Sequence, residues 1–251
     1  MSETGASPLG AEIMTPSLLS AWRYHHWIYR HFQRWVRGNV LEIGGGHGIY
    51  TEFLRTDAVS VTATDRDRRS IELMKSRVDA PNVTMRPLDV CDEASCQALG
   101  RVFDTVICLN VLEHIEEDGE AVRRMARLLA SGGHLVLVVP AFQWLFSPLD
   151  KHAGHFRRYR KANLCGLLED AGLRVVHHTY FNALGIPGWF VFGKLMRPKS
   201  LAAPQVNGAI YLFDKVMVSA AALLDYALFH AVGLSVLAVA QKSEAAKGFT
   251  S

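Results

Sequence analysis

The feature that most constrains this chain is a short apolar run, Val40, Leu41 and Ile43, followed at once by four glycines in five residues. An apolar run without alternation is typical of a buried strand in a parallel sheet. Apolar residues at helical spacing follow at Tyr50, Phe53 and Leu54. A strand, a glycine turn and a helix N-terminus let the backbone approach a ligand closely, and free N–H groups there suit an anion. The segment therefore predicts a ligand site, with an ordinary glycine-rich turn as the alternative.

The glycine spacing separates two classes of ligand. A dinucleotide fingerprint has glycines at its first, third and sixth positions, and the sixth position counted from Gly44 is Ile49. The chain instead has Glu42 two residues before Gly44, with further glycines at Gly46 and Gly48. A carboxylate at that point suits the amino group of an amino-acid-like cofactor and is badly placed beside a pyrophosphate. A nicotinamide dehydrogenase is therefore disfavoured.

Two later carboxylates follow predicted strands. Residues 59–64 predict a second strand that ends in Asp65, about twenty residues past the first glycine, where a carboxylate can accept both ribose hydroxyls. Residues 83–88 predict a third strand that ends in Asp89 and Val90. This pair suits the edge of an adenine. The order and separation of these features indicate an adenosyl ligand with an amino-acid tail.

Together these features resemble the cofactor site of class I S-adenosylmethionine (SAM)-dependent methyltransferases, in the branch that acts on small molecules. The resemblance continues through residues 103–115 and 128–140, while residues 24–29 and 154–159 are similar to a bacterial subgroup. It implies SAM as cofactor, S-adenosylhomocysteine as product, and no metal. His47 departs from the family, which more usually has a small hydroxylated residue there. The cofactor-binding residues implied are Glu42, Gly44, Gly46, Gly48, Asp65, Arg66, Asp89, Val90, Asn110 and Tyr24.

The alternation of strands and helices through residues 39–140 predicts a parallel sheet built by right-handed crossovers. The expected helices lie near residues 48–55, 68–77, 94–99, 118–130 and 162–171. With the resemblance, the fold class is α/β: a Rossmann-like seven-stranded methyltransferase sheet, mostly parallel with the last strand antiparallel. Helices are expected on both faces, and a helical cap is inserted before the last strand.

The chain divides into four predicted parts. Residues 1–16 are expected to be disordered and to hold neither a signal peptide nor a span. Residues 17–183 and 231–243 form the SAM-binding domain, in which 17–38 is a lid helix capped by Ser17 or Ser20. Residues 184–230 form a helical substrate cap.

The cap is apolar on most faces from residue 210 to 230, with Asp214 and Asp225 on one face. No stretch has about 20 uninterrupted apolar residues, the length of a membrane span. The sequence leaves three roles open for these apolar residues. They could pack against the sheet or in a homodimer, line a lipophilic pocket, or contact a membrane surface.

Methyl transfer to a hydroxyl needs alignment, exclusion of water and a base. The catalytic candidates are His152 and His155, in the loop after the fifth strand, and His114, at the end of the fourth. Asp150 and Tyr159 are candidate orienting partners. A purely structural role for His114 is the alternative.

Arg157 and Arg158 are predicted to bind a carboxylate or phosphate of the acceptor through forked hydrogen bonds. The alternative is a solvated helix start, or ion pairs to Asp150 and Glu169. The predicted substrate-binding residues are Trp27, Arg157, Arg158, Tyr159, Phe142 and Trp189.

A net charge of +3 is too small to indicate nucleic-acid binding. A nucleic-acid methyltransferase is also disfavoured, because residues 110–113 lack the Asn/Asp-Pro-Pro-aromatic motif usual in amino-methylating enzymes of that kind. The four cysteines indicate reduced thiols of a cytoplasmic protein. Through its apolar cap, this protein could also lie at the periphery of the membrane. The predicted function is methyl transfer to an anionic, lipophilic small molecule, on oxygen, in secondary-metabolite or cell-surface lipid or glycan synthesis. N- or C-methylation, and a SAM-binding cyclase or binding protein that transfers no methyl group, are the alternatives.

Overall fold

The computed structural model describes residues 16–196 and 204–244. Seven strands form one sheet in the spatial order third, second, first, fourth, fifth, seventh, sixth. The strands are β1 Asn39–Ile43, β2 Ser60–Asp65, β3 Val83–Pro87, β4 Phe103–Leu109, β5 Leu129–Pro140, β6 Leu173–Phe181 and β7 Ser235–Lys242. Strand β7 is antiparallel to β5 and β6, and the other pairs are parallel. The predicted mixed sheet is confirmed.

Helices connect these strands and cover both faces of the sheet. They are α1 Pro16–Leu19, α2 Trp22–Phe32, α3 Ile49–Asp57, α4 Arg68–Arg77, α5 Glu93–Gln97, α6 Asp118–Arg127, α7 Pro148–His152, α8 Lys161–Asp170, α9 Gly185–Trp189, α10 Pro204–Leu212 and α11 Val218–Ala227. Alternate side chains of β1 point to opposite faces of the sheet, and each face carries its own hydrophobic core. Leu41 packs in the core that holds Leu164 of α8, and Val40 packs in the core that holds Phe32 of α2.

The predicted boundaries are correct to within a few residues, with two corrections. The helix expected at residues 118–130 ends at Arg127, because Leu129 already pairs with Phe103 at the start of β5. Neither Ser17 nor Ser20 caps the lid helix, because α2 starts after Ala21 and no side chain caps it. The expected disordered segment, residues 1–16, lies outside the described residues except for Pro16.

The cap forms between β6 and β7, as expected. α9 continues as a π-helical segment Phe190–Met196, and α10 and α11 are joined through a second π-helical segment, Phe213–Met217. The buried carboxylate of Asp214 accepts a hydrogen bond from the main-chain N–H of Tyr24 at 2.9 Å. That of Asp225 accepts from the N–H groups of Asn182 and Ala183 at 2.6 and 2.8 Å. The two acids share the inner face, as predicted, and attach the cap to the sheet domain.

The expectation that no segment is suited to span a membrane needs correction. Helical residues Asn207–Ala227 form one stretch of 21 residues that is long and apolar enough by length and composition. On its outer face the side chains of Val216, Leu223 and Tyr226 are exposed. Because Asp214 and Asp225 hold the opposite face, the helix lies along the sheet domain with an apolar side toward solvent.

Candidate functional site

The strand register brings the predicted cofactor residues to one edge of the sheet. Ile43 pairs with Thr64 of β2 and Cys108 of β4, so the residues that follow these strands leave the sheet at the same level. Asp65 ends β2, and Asn110 follows β4. The chain reverses its direction of winding between β1 and β4, which is where open α/β sheets bind ligands.

The glycine loop follows β1 in a conformation that requires glycine. Gly44, Gly46 and Gly48 have φ angles of 74°, 54° and 74°. A Cβ atom on Gly44 would lie 2.2 Å from a methyl group of Val111, whereas the space beside Gly46 is open. The loop is therefore held against the exit of β4 on one side and is free to contact a ligand on the other.

Asp65 is fixed beside this loop. Its carboxylate accepts hydrogen bonds from the N–H of Gly46 at 3.0 Å and the N–H of Asp67 at 2.9 Å. Burial raises the pKa of Asp65, while these two N–H groups lower it. Asp89, after β3, accepts from the N–H of Cys91 at 2.8 Å. Both carboxylates thus have set orientations at the edge where the ribose and adenine contacts were predicted.

Glu42 lies under the loop as a buried carboxylate, 3% exposed. The hydroxyl of Thr51, on α3, donates a hydrogen bond to it at 2.5 Å. The pKa of Glu42 is raised to about 7, mainly by burial, with a smaller upward contribution from the charge of Asp65 and a downward one from the Thr51 hydrogen bond. Within residues 16–196 and 204–244 no cationic side chain pairs with this buried acid, which suits a positively charged ligand such as the ammonium and sulfonium groups of SAM.

The lid helix α2 covers the start of α3. The ring of His25 bonds the Tyr50 hydroxyl at 3.1 Å through Nδ1 and the carbonyl of Leu18 at 2.9 Å through Nε2. Burial raises the pKa of the neighbouring Tyr24 to about 12. The side chain of Tyr24, a predicted cofactor residue, hydrogen-bonds that of Asn182, after β6, and lies near enough to Tyr50 to raise its pKa. Trp27 packs edge-on against Phe181 instead and lines a groove beside the cap.

The other predicted cofactor residues differ in exposure. Val90 is buried and Arg66 is exposed. Asn110 is exposed with a φ of 53°, and its N–H donates to the carbonyl of Val138 at 2.8 Å. Its amide side chain is available at the mouth of the site.

A second polar cluster lies where β4 ends. One ligand-type atom from each of Glu113, His114 and His155 lies within 4.8 Å of the other two. The two imidazole rings meet edge-on, with centroids 4.6 Å apart. Burial raises the pKa of Glu113 to about 7 and lowers that of His114 to about 4. We refer to these three residues as the β4-end cluster.

His155 is oriented from behind by Asp150. The His155 Nδ1 atom lies 2.9 Å from Asp150 Oδ1, which matches the orienting role predicted for Asp150. Although burial raises the pKa of Asp150, the hydrogen bonds of His155 and Arg158 hold it below its usual value. His152, the other loop candidate, is exposed at the end of α7, away from this hydrogen-bonded pair. The structure therefore separates the two histidines that the sequence treated alike.

The predicted anion-binding arginines are engaged within the chain. Arg158 is buried and pairs with Asp150 at 2.8 Å, with its guanidinium over the ring of Trp189. Arg157 pairs with Asp118 at 3.0 Å, which also accepts a hydrogen bond from the Tyr159 hydroxyl. The predicted role in gripping the acceptor is corrected to the ion-pair alternative, in which Asp118 takes the place expected for Glu169.

Two further predicted substrate residues shape the loop after β5. The ring of Phe142 stacks on Tyr180, with centroids 4.7 Å apart, at a φ of 62°. The indole of Trp189 donates to the carbonyl of Leu145 at 3.0 Å. These contacts position the loop that carries His155.

Sequence reasoning missed Glu113 and Thr51 as site residues. The signal for Glu113 was its position directly after a buried strand, next to His114. Thr51 gave a weaker signal, because only the fold shows that the first turn of α3 turns its hydroxyl onto Glu42.

Comparison with known proteins agrees with this geometry. Residues 22–178 match the family model described as "Methyltransferase domain". The ubiquinone biosynthesis O-methyltransferase of Pectobacterium atrosepticum is 24% identical over 160 residues, which are 58% of this chain and 66% of that protein. The enzyme of the same name from Serratia proteamaculans is 28% identical over 168 residues, 62% of this chain and 70% of that protein. The chain thus spans about two thirds of the length of these relatives.

Solved structures share the fold. The N-methyltransferase NodS from Bradyrhizobium japonicum WM9, crystallised with S-adenosylhomocysteine, has a TM-score of 0.59 at 17% identity, with 96% of this chain and 94% of that chain covered. The [4+2]-cyclase SpnF has a TM-score of 0.59 at 16% identity, with coverages of 91% and 83%. Likeness at such identity concerns the fold alone, whereas the family model covers well over half of the chain. The chain belongs to the methyltransferase-domain family, and it is a SAM-dependent class I methyltransferase.

Proposed function

We propose that this enzyme methylates an acidic oxygen, a hydroxyl or carboxyl, on a lipophilic small molecule. The observation that carries the proposal is the β4-end cluster, with its acid and two imidazoles at the exit of the strand beside the cofactor edge. The relatives named as ubiquinone biosynthesis O-methyltransferases, at 24% and 28% identity, support oxygen as the methylated atom.

The chain's own residues would hold SAM along the carboxyl edge of β1, β2 and β3. Glu42 is proposed to pair with the ammonium group, Asp65 with the ribose hydroxyls, and Asp89 with the adenine edge, supported by their fixed carboxylates. When bound, SAM supplies a methyl group already activated on a sulfonium. The protein must then align the acceptor and exclude water.

The β4-end cluster is where we propose that the acceptor oxygen loses its proton. Glu113 is 1% exposed, and one of its carboxylate oxygens, Oε2, has no hydrogen-bond partner among the described residues. Asp150 fixes the ring of His155 with its Nδ1 atom turned away from the cluster. An acidic group entering between these side chains would meet polar atoms that are already oriented, which favours its deprotonation.

The cap supports a lipophilic acceptor reached at a membrane surface. Leu223 and Tyr226 are 70% and 76% exposed on its outer face. A groove of about 600 Å³ beside it is lined by Arg23, Arg30 and Lys215. Apolar side chains next to cations are the chemistry that binds anionic lipid headgroups. We therefore propose a cytoplasmic enzyme that lies peripherally on an anionic membrane.

Two experiments test these proposals. Calorimetry with SAM and S-adenosylhomocysteine, with NAD as control, is expected to give micromolar affinity for the adenosyl ligands alone. Mass spectrometry of incubations with lipophilic phenols, carboxylic acids and amines is then expected to find methyl esters or ethers. Methylated amines as the only products would contradict transfer to oxygen.

Membrane association is tested by cosedimentation with vesicles of phosphatidylglycerol or phosphatidylcholine. We expect binding to the anionic vesicles that is lost in Leu223→Ser/Tyr226→Ser and kept in Val59→Ser, whose exposed side chain lies away from the cap. Self-association through the same face, seen by sedimentation without lipid and abolished by the same substitutions, would replace the membrane with a homodimer interface.

A further inference from the structure

The β4-end cluster has the composition of a metal site as well as that of an acid–base site. Glu113 and His114 are consecutive residues of the 3₁₀ turn after β4, and His155 reaches them from the loop after α7. The two segments are tied together, since the N–H of Phe156 donates to the carbonyl of Glu113 at 2.8 Å. The three side chains therefore converge from two anchored pieces of backbone.

The spacing of the ligand atoms is close to that required by a metal ion. Bonds of about 2.0–2.2 Å to nitrogen and oxygen place the ligands of a tetrahedral zinc ion about 3.3 Å apart. The atoms of Glu113, His114 and His155 lie within 4.8 Å of one another. Binding of such an ion requires these separations to close by up to about 1.5 Å.

The surroundings of His155 match those of a metal ligand. Its Nδ1 atom bonds Asp150, which leaves Nε2 as the atom that faces the cluster. Asp150 is in turn fixed by the Nε atom of Arg158 at 2.8 Å and the N–H of Ser147 at 2.8 Å. A carboxylate behind a ligating histidine sets the ring orientation and raises its basicity toward the metal.

Glu113 supplies an independent observation that points to a ligand. Its side chain is 1% exposed, and its Oε2 atom has no hydrogen-bond partner among the described residues. A buried carboxylate oxygen without a donor is costly unless a cation or another donor completes its environment. The guanidinium of Arg158, whose charge lowers the pKa of Glu113, is paired with Asp150.

We infer that Glu113, His114 and His155 bind a divalent transition-metal cation. Two imidazoles and one carboxylate favour ions of the zinc, manganese or iron(II) class over magnesium or calcium, which prefer oxygen ligands throughout. Three protein ligands leave a position for an oxygen of the acceptor. The resemblance to the methyltransferase family had implied no metal, so this site departs from that expectation.

The inference rests on the proposed function only for its role in catalysis. An acceptor hydroxyl bound at the open position would release its proton to water at a lower pH than it does in solution. The resulting oxyanion would attack the methyl carbon. The oxygen–carbon bond then forms as the sulfur–carbon bond breaks, and the bonding pair remains on sulfur.

The test uses the full chain, treated with a chelator and studied without SAM. Titration with Co²⁺, followed by visible absorption, and with Zn²⁺, followed by calorimetry, is expected to show one equivalent bound at micromolar or lower Kd. Glu113→Gln, which keeps the size of the side chain, and His155→Ala are each expected to weaken binding at least tenfold. The matched control, His152→Ala, removes an exposed histidine of the same loop and is expected to bind as the unmodified chain does.

Circular dichroism and the Tm of each variant establish that it is folded. Zn²⁺ is expected to raise the Tm of the unmodified chain and of His152→Ala, but not that of Glu113→Gln. Absence of saturable binding to the folded chain, full binding by Glu113→Gln, or loss of binding in His152→Ala would each overturn the site. SAM calorimetry on the chelated protein separates this outcome from failure of the proposed function, because the residues proposed to bind SAM do not include the three ligands.

Discussion

The hydroxyl of Thr51 donates a 2.5 Å hydrogen bond to the carboxylate of Glu42, across the glycine loop that separates them. Both partners of this bond are buried, and the bond favours the ionised acid. Burial acts in the opposite direction and prevails, so the pKa of Glu42 rises to about 7. The charge of the site therefore changes within the physiological range of pH.

We expect SAM affinity to increase as the pH rises from about 5.5 to about 7.5. Below pH 7 Glu42 is protonated and offers no charge to the ammonium group, so binding must first release its proton. The pKa shift corresponds to a gain of about tenfold or more over this range. Calorimetry across this pH range measures the change in SAM affinity. The control is Glu42→Gln, whose SAM affinity should be low and independent of pH. A slope that persists in Glu42→Gln assigns the titration to another group.

The raised pKa of Glu42 also predicts how the stability of the folded chain depends on pH. The folded chain holds the Glu42 proton up to about pH 7, whereas in the unfolded chain the group titrates near 4.5. The free energy of unfolding contributed by this group therefore decreases as the pH rises from about 4.5 to about 7. Urea denaturation is expected to find Glu42→Gln less sensitive to pH than the unmodified chain over this interval. An equal pH dependence of the free energy of unfolding in both proteins would show that the Glu42 carboxylate is solvated in the folded chain.

Asp65→Ala is expected to weaken SAM binding at least tenfold, because a buried ribose would lose its acceptor and Gly46 would lose the partner of its N–H. Asp67→Ala is the matched control. This substitution removes the N-cap of helix α4, where the Asp67 carboxylate accepts a hydrogen bond from the N–H of Arg69. The expected loss of stability is about 1 kcal/mol. Calorimetry should find its SAM affinity unchanged. Equal losses in both variants would indicate a general disturbance of the loop.

Gly44 and Gly100 give a test of the glycine loop. Both have positive φ, 74° and 64°, so alanine strains either position by about 1–2 kcal/mol. A Cβ on Gly44 also lies 2.2 Å from Val111, whereas the space beside Gly100 is open. Gly44→Ala should lower the Tm more than Gly100→Ala and should alone reduce SAM affinity. Equal effects in thermal denaturation would mean that Val111 moves aside without cost.

The sequence predicted the parts of the site that depend on local order along the chain. Glu42, the glycines and Asp65 could be placed because each lies at or just after the carboxyl end of a strand whose residues are recognisable in the sequence, and the register of β1 and β2 brings these ends together. The pairing of Arg158 with Asp150 could be given only as an alternative to substrate binding, because the choice depends on how the loop after β5 folds back. The sequence pattern alone does not distinguish an arginine in a buried ion pair from one that binds a substrate.

His155→Ala is expected to reduce kcat by about 10²–10⁴-fold while the Kd of SAM stays within about twofold. The reason is geometric, since the ring lies against Glu113 and His114 and is oriented by Asp150, at a distance from the glycine loop along the same edge. His152 is exposed and lies outside this cluster, so His152→Ala should turn over within about a factor of two of the unmodified chain. Single-turnover measurements with an acceptor found by the screen separate the methyl-transfer step from binding. Equal slowing in both variants would mean that the loop contributes by closing over the acceptor, and that the position of His155 in the cluster is not what the reaction requires.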